Sequence, residues 1–436
     1  MGSVATGAVT NVIAIFGLIF LNTHVGLEAG IAGLLIFSAK MYDAVSDPVM
    51  GRISDNWQGA KGRRAPFLCW GALLLGISLF FFFNLSPMAT PIAIPVVLIL
   101  LILISTGYTI FAVPYLAFSP DLAPSYDKRT RLMSFRVFFL MMGVFVGTVL
   151  GPKLVFHDTG GYQLMGAVVG GIIVVVGTVA YFGIRKIDSA LPLPERGKES
   201  ISQMVRQSAK QFVSVFETKP FAILTAVKTL QFVVLAIVLA SSPYFFTFVL
   251  KKSVGELGTY MGIFLFSGII AIPFIRVLIG FLGKRSAYIS FLLFYAIGLF
   301  SWYFWTSAEL EFWFYFRAIL IGVASTGTLF CALALLPDTM ECDRLTSGQS
   351  REGTISGVFT LVEKVASAFG PLLVGVLLQA TGLIASKDPL TVQPEHALNI
   401  IHLAASVIPA IITLLCIPVV LKYQLTAQML QDLRRE

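Results

Sequence analysis

Charge is what this chain has least of. Of its 436 residues only 12% are Asp, Glu, Lys or Arg, against 57% that are hydrophobic; the charged share is about half that of a soluble domain. A chain so poor in charge cannot cover one aqueous globule, so a sizeable soluble domain is excluded. Cysteine is scarce too. Cys69, Cys331, Cys342 and Cys416 have no metal spacing; three fall in apolar runs, Cys342 in an expected loop, and they read as free thiols. The four histidines are scattered, with no catalytic cluster. A nucleophile elbow is absent, and with it the main support for an enzyme. No appended domain points to a signalling receptor. The first apolar run lacks the basic start and cleavage site of a secretory signal.

What the chain has instead is apolar length. Runs of about 20 residues, enough to cross roughly 30 Å of hydrocarbon, recur from end to end. Hydropathy places twelve spans at 4–22, 28–51, 65–84, 92–118, 131–154, 162–184, 221–249, 256–280, 286–305, 312–336, 353–381 and 397–421. The expected fold class is an all-α membrane protein with twelve transmembrane helices in two six-helix bundles. With a cytoplasmic N-terminus, the inside loops and tail, counted with Arg131 at the inner edge of the fifth span, carry 21 of the 31 Lys and Arg. The net charge of +8 therefore reports topology under the positive-inside rule, not a nucleic-acid partner. Both termini are expected in the cytoplasm.

One segment breaks the apolar rhythm. Residues 185–220 hold seven Lys and Arg and separate an N-terminal bundle (1–184) from a C-terminal bundle (221–421), with a cytoplasmic tail at 422–436. Within it Ser200 can cap a short amphipathic helix whose face carries Ile201, Met204, Val205, Phe212 and Phe216. Six plus six spans around a basic loop suit two related bundles with a substrate cavity near mid-membrane. Gly143, Gly147 and Gly151 read as positions where neighbouring helices approach. The aromatic runs at 80–83 and 301–305 sit at span ends, where interfacial belts belong.

The second span then carries charges that lipid does not tolerate. Asp43 and Asp47 are one helical turn apart on one face, with Lys40 on the same side. Each charge at mid-helix costs about 2.5–3.5 kcal/mol on insertion scales. Two bare carboxylates roughly 6 Å apart repel by about 3 kcal/mol at an effective dielectric of 20. The pair must hold a proton, hold a metal cation or lean on an ammonium. The first two describe a coupling-ion site; the third describes a fixed ion pair with Lys40. Arg136, Lys228, Arg276, Arg317, Glu363 and Lys364 also fall inside spans, where charges face cavities or pair with one another. Arg276 and Arg317 lie near span ends and can snorkel.

After the second span comes a loop dense in positive charge. Gly51 permits close helix approach, Asp55 can sit near a helix N-terminus, and Arg63 and Arg64 can staple neighbouring helix ends. Making and breaking such contacts is one way to gate alternating access.

The string YDAVSDPVMGRISD followed by GRRAPF resembles the signature of the glycoside–pentoside–hexuronide:cation symporters, a group within the major facilitator superfamily that includes the melibiose permease. Further matches are Val113-Pro-Tyr115, Thr130-Arg-Leu-Met-Ser-Phe-Arg136, Pro337-Asp-Thr339 following span ten, and the stretch Thr360–Phe369. The sodium-dependent lysophospholipid transporters are similar in the same places. The resemblance implies a cation or metal site at Asp43, Asp47, Ser46 and Thr109, and coupling through Lys364, Tyr108 and Lys40. It implies a substrate site around Arg136, Asn11, Ala112, Tyr115 and Leu116. The sugar-binding acids of the melibiose permease fall here on Gly7 and Ala112, and its span-four tryptophan on Leu116, so melibiose itself is not the expected solute. The expectation is symport, driven by Na+ or H+, of a sugar, glycoside, uronate or other anionic sugar-like solute. A lysophospholipid or another amphiphilic or organic-acid substrate is the alternative. No cofactor beyond the transported ion is expected. The setting is a bacterial inner membrane, with lipid around a monomer.

Overall fold

The computed structural model describes residues 1–57, 59, 62–118, 126–156, 161–189, 214–306, 309–348, 351–384, 392–425 and 427–433. Among these residues the regular structure is helical throughout. Twelve helices are long and apolar enough to cross a membrane. They are α1 (Ser3–Val25), α2 (Ala29–Asn56), α3 (Ala65–Phe83), α4 (Thr90–Ala117), α5 (Ser134–Val155), α6 (Gly161–Asp188), α7 (Lys219–Val249), α8 (Val254–Leu282), α9 (Lys284–Phe304), α10 (Glu311–Ser347), α11 (Gly353–Ala380) and α12 (Glu395–Leu421). A short α13 (Ala427–Leu433) follows. Every expected span is present, in order. Most of the amphipathic helix expected within 185–220 lies outside the described residues; at its end Val215–Glu217 form a single 3-10 turn with Val215 buried.

Several helices run beyond their expected ends, α2 to Asn56 among them; in α10 and α6 the reason is that their buried faces continue. The buried positions of α10 go on through Leu335, Thr339, Cys342 and Asp343 at helical spacing. Pro337 therefore lies inside the helix and not after it, and Cys342 is a buried helical residue and not a loop thiol. Likewise α6 extends to Asp188, which is 2% exposed.

The chain forms two compact units. The first comprises Met1–Lys198, Ser242–Thr259 and Pro371–Leu398. In it α3 packs on α4 and α6, α2 on α4, and α1 on α5. The α1–α5 contact requires glycine on both sides. A Cβ at Gly7 would stand 2.7 Å from the Leu140 carbonyl oxygen, and one at Gly143 would stand 2.4 Å from that of Val4. Backbones this close exclude every larger residue.

The second unit comprises Glu199–Ser241, Tyr260–Gly370 and Asn399–Glu436. Here α9 packs on α10 and α12, around a core that includes Phe221, Val227, Leu292, Cys331, Val358 and Cys416. Arg317 does not snorkel. It is 7% exposed, forks onto Glu309 with bonds of 2.7 and 2.8 Å, and donates from Nε to Ser301 Oγ at 3.1 Å. Its guanidinium lies 4.9 Å from the Trp302 ring centre. Trp302 is consequently buried, and only part of the 301–305 run forms an exposed belt. The same holds at 80–83, where Phe82 and Phe83 pack inside against Phe20 while Phe80 and Phe81 face outward.

Candidate functional site

The site is built where α2 faces α4. On α2 the spacing of Lys40, Asp43 and Asp47 puts all three on one side, and α4 returns Ser105, Tyr108 and Thr109. Thr109 Oγ1 lies 3.0 Å from Asp43 Oδ1, 2.9 Å from Asp47 Oδ1 and 3.2 Å from Ser46 Oγ. Ser46 Oγ also stands 3.3 Å from the Asp43 carbonyl oxygen. Asp43 and Thr109 are each 2% exposed, while Asp47 and Ser46 are half-buried. Pro48, the next residue, has no N–H for the Ala44 carbonyl and loosens the helix beside the acids.

Counting hydrogens exposes the chemistry of this cluster. A hydroxyl carries one hydrogen, so Thr109 can donate to Asp43 or to Asp47 but not to both. Ser46 can supply the hydrogen for its own contact with Thr109. One short contact between Thr109 and a carboxylate is then left with no hydrogen from either hydroxyl. It is satisfied by a proton on one acid, by a cation held between the oxygens, or by the neighbouring Lys40 ammonium, which lines the same cavity as Asp43. Two carboxylates and two hydroxyls are hard oxygen donors, suited to a hard cation and not to a thiolate-seeking metal. Among the described residues no group of three or more His, Cys, Asp and Glu could form a metal cage.

A cavity of about 30 Å³ adjoins the cluster, room for about two waters. Asp43, Lys40, Tyr108, Thr10 and Ser105 give it a polar side, and Val9, Ile13, Ile36, Leu101 and Ile104 an apolar one. Lys40 and Tyr108 thus share one cavity wall with Asp43. Thr10 and Ser105 were not legible beforehand; a hydroxyl on an apolar helix is too common to stand out. Lys364 sits half-buried on α11 in the second unit, where its carbonyl accepts from Ser367 Oγ at 2.8 Å.

The expected substrate residues separate. Arg136 on α5 is half-buried and within electrostatic reach of Tyr115 and Tyr108. Tyr115 stacks on Phe111 at 5.7 Å and meets Ser3 Oγ at 3.2 Å. Asn11 turns back on its own helix, donating to the Gly7 carbonyl at 2.9 Å. Ala112 is buried, Leu116 is exposed, and neither lines the cavity. An acid at Gly7, where the resemblance to the melibiose permease would put one, cannot be accommodated here, because the α5 backbone occupies its space.

At one end of α2 the staple is real, but its parts differ from expectation. Arg64 binds Asp55 Oδ1 at 2.5 Å and donates to the Ala117 carbonyl at 2.6 Å, joining the ends of α2 and α4. Its backbone N–H and that of Ala65 both donate to Asp188 Oδ2 at 2.8 Å. A buried carboxylate from α6 thus caps α3, where helix N–H groups favour an anion. Gly51 is not needed for close approach, since a Cβ there would meet Val113 at an ordinary 3.7 Å. The constrained glycine is Gly62, whose φ is +105° and whose Cβ would fall 2.3 Å from Asp188 Oδ2. Arg63 is half-buried beside it. Asp188 escaped the sequence reading because it sits among basic residues that look like plain linker.

Three comparisons bear on this geometry. An uncharacterized symporter of Synechocystis is 23% identical, over 100% of this chain and 94% of that protein. A protein of Escherichia coli K12 named "Putative sulfoquinovose importer" is 24% identical, over 95% of this chain and 88% of that one. Among solved structures, a bacterial homologue of the human lysosomal transporter Spinster matches with a TM-score of 0.70 at 13% identity, covering 98% of this chain and 97% of that one. That likeness shows the fold. The family model described as MFS/sugar transport protein matches residues 1–427, and the chain, an integral membrane protein, belongs to that family of transporters.

Proposed function

We propose that the protein is a cation-coupled symporter of an anionic sugar-like solute, a uronate or a sugar sulfonate, working by alternating access. One observation carries the coupling: Thr109 Oγ1 lies within 3.0 Å of a carboxylate oxygen from both Asp43 and Asp47, a geometry that needs one more positive centre than the hydroxyls supply. Na+ or H+ bound among Asp43, Asp47, Ser46 and Thr109 cancels the pair's charge and lets the bundle close over it. Carrying both solutes is then favoured over carrying one. Lys40 and Tyr108, on the wall of the same cavity, sense the occupied site, and Lys364 contributes from α11. Arg136 and Tyr115 supply polar contacts to the solute. Support for a sugar sulfonate comes from the E. coli relative named for sulfoquinovose, a sulfonated sugar. The protein acts as a monomer in a bacterial inner membrane, with both termini cytoplasmic and no cofactor beyond the coupling ion.

The test is uptake by proteoliposomes of a uronate and sugar-sulfonate panel under an imposed sodium or proton gradient. Wild-type protein accumulates one of these solutes, and Asp43→Asn abolishes gradient-driven accumulation while leaving solute exchange. Undiminished accumulation by Asp43→Asn would end the proposal. A second reading, transport of a lysophospholipid or other amphiphile, draws on the apolar wall of Ile13, Ile36, Leu101 and Ile104. Lysolipid uptake with no response to the sugar panel would replace the first reading with the second.

A further inference from the structure

The second unit buries an ammonium that the coupling cluster does not use. Lys228 on α7 is 2% exposed. Its Nζ lies 4.3 Å from the Phe232 ring centre and 4.6 Å from that of Phe359, so two aromatic faces hold it. Its carboxylate partner, Glu363 Oε2 on α11, stands at 3.7 Å, beyond a normal hydrogen bond. Both residues lie roughly 15 Å along their helices at 1.5 Å per residue, deep in the apolar layer. An ammonium there, with three N–H donors and a carboxylate too distant to satisfy them, is poorly paired for its cost.

Its neighbours on the helix are also short of partners. Thr225, one turn earlier and 3% exposed, has a buried hydroxyl without a hydrogen bond, and Gln231, one turn later, has a buried Nε2 without one. Gln231 is oriented by Tyr288, whose hydroxyl donates to Gln231 Oε1 at 2.8 Å; this turns the amide N–H₂ away from Tyr288. Thr225, Lys228 and Gln231 therefore set three donors along one side of α7. Spread over about 9 Å of the helix at 1.5 Å per residue, they are the complement of a solute that carries an anionic group with further acceptor oxygens on either side.

The pair also has an open side. The Glu363 side chain is 43% exposed while that of Lys228 is 3%. On α11 the exposed positions Ser356, Gly357 and Thr360 run along the helix toward Lys364, and a Cβ at Gly357 would meet nothing within 4 Å. With the part-exposed Glu363 carboxylate at its inner end, this stripe of small and polar residues makes the open side of the pair a polar one. Glu363 stands where it meets Lys228, with Lys364 beside it to receive its charge.

We propose that Lys228, flanked by Thr225 and Gln231, is the docking point for the anionic group of the transported solute, and that Glu363 is the built-in counter-ion which the incoming anion replaces. This rests on reading the protein as a transporter of an acidic solute and gives that solute's charged group a place. In the empty protein Glu363 keeps the ammonium from standing bare. On loading, the solute's oxygens take the Lys228, Thr225 and Gln231 donors, and Glu363 turns to the open side next to Lys364. A neutral sugar cannot displace Glu363, so selection for an acid follows from charge.

The experiment uses full-length protein in detergent, first without transport. Glu363→Ala leaves a carboxylate-sized space opposite the ammonium. Acetate, titrated against acetamide at equal ionic strength, is expected to raise its unfolding midpoint by several degrees in a saturable way, with no response to acetamide. The double variant Lys228→Met/Glu363→Ala is expected to lose the acetate response. Equal responses to acetate and acetamide, or a response retained in the double variant, would overturn the assignment; Glu363→Gln takes the same test should Glu363→Ala not be recovered. In proteoliposomes methyl glucuronide is expected to be taken up in preference to methyl glucoside, and Lys228→Met to lose that preference by roughly tenfold or more. A wild-type protein that prefers neither, or a Lys228→Met variant that keeps the preference, also overturns it. The acetate titration needs neither cation nor transport, so its failure is distinct from failure of coupling at Asp43.

Discussion

Replacing Thr109 by Val keeps the branched shape of the side chain and removes the oxygen that touches both acids. The hydroxyl lies 3.0 Å from Asp43 Oδ1 and 2.9 Å from Asp47 Oδ1, but its single hydrogen can serve only one of them. One hydrogen bond to a charged group is worth about 1.5–3 kcal/mol. At roughly 1.4 kcal/mol per factor of ten, loss of that oxygen lowers the apparent affinity for the coupling cation by about 10- to 100-fold. Ser46→Ala removes a neutral contact at 3.2 Å, worth about 0.5–1.5 kcal/mol, and lowers it about 2- to 10-fold. Thr109→Ser keeps the oxygen and stays near wild type. The assay is uptake at saturating solute with sodium and proton concentrations varied separately, which also identifies the ion. The order Thr109→Val, then Ser46→Ala, then Thr109→Ser, from most to least damaging, is the result the geometry demands. A Thr109→Val protein with half-saturation within twofold of wild type would refute the reasoning, because no ion could then be using that oxygen.

The remaining predictions concern the scaffold. Gly62→Ala places a side chain at φ +105° and within 2.3 Å of Asp188, and it destabilises by more than Gly283→Ala. At Gly283 the backbone has φ +77° and ψ 157° but meets nothing within 4 Å, so only a strain of about 1–3 kcal/mol applies; thermal unfolding ranks the two. Asp188→Ala leaves the N–H groups of Arg64 and Ala65 without their acceptor and costs about 1–3 kcal/mol, whereas Asp188→Asn, which keeps one acceptor oxygen, costs less by the same measurement. Gly7→Asp, which introduces the sugar-binding acid of the melibiose permease, yields no folded protein by size-exclusion chromatography, since α5 fills that space. Arg317→Met strands Glu309 and costs about 3–5 kcal/mol, while Arg317→Met/Glu309→Leu recovers most of it, read as unfolding midpoints.

How much of this was legible in the sequence depends on how local the cause is. Span number and order follow from apolar length alone, and all twelve helices appear. Asp43 and Asp47 announce themselves because a charge in an apolar run is costly wherever the run ends up. Their partner Thr109, more than sixty residues away, became visible only through resemblance, since a threonine on an apolar helix carries no cost that marks it. Asp188 was hidden for the opposite reason. Among Arg185 and Lys186 an acid looks ordinary, and only the fold shows that it is buried against the first N–H groups of α3.

The two halves preserve similar solutions to the same local problem, and their differences are instructive. In the first unit Gly62, with positive φ, precedes Arg63-Arg64, and Arg64 reaches the last carbonyl of α4 at Ala117. In the second unit Gly283, also with positive φ, precedes Lys284-Arg285, and Arg285 reaches the last carbonyl of α12 at Leu421. Each unit thus uses a glycine to turn the chain and a cation to satisfy helix-end oxygens. The acids differ. Asp188 caps backbone N–H groups in the first unit, whereas Asp338 in the second pairs with the Lys284 side chain at 2.6 Å. A backbone cap is buried and fixed. A lysine pair in which both side chains are at least 30% exposed contributes little and opens readily. Of the two staples, the second is therefore the one whose opening costs less during a transport cycle. Salt should reveal the difference: raising ionic strength screens Lys284–Asp338, so Asp338→Asn mimics high salt in its effect on transport rate, while Asp188→Asn lowers the yield of folded protein at any salt concentration.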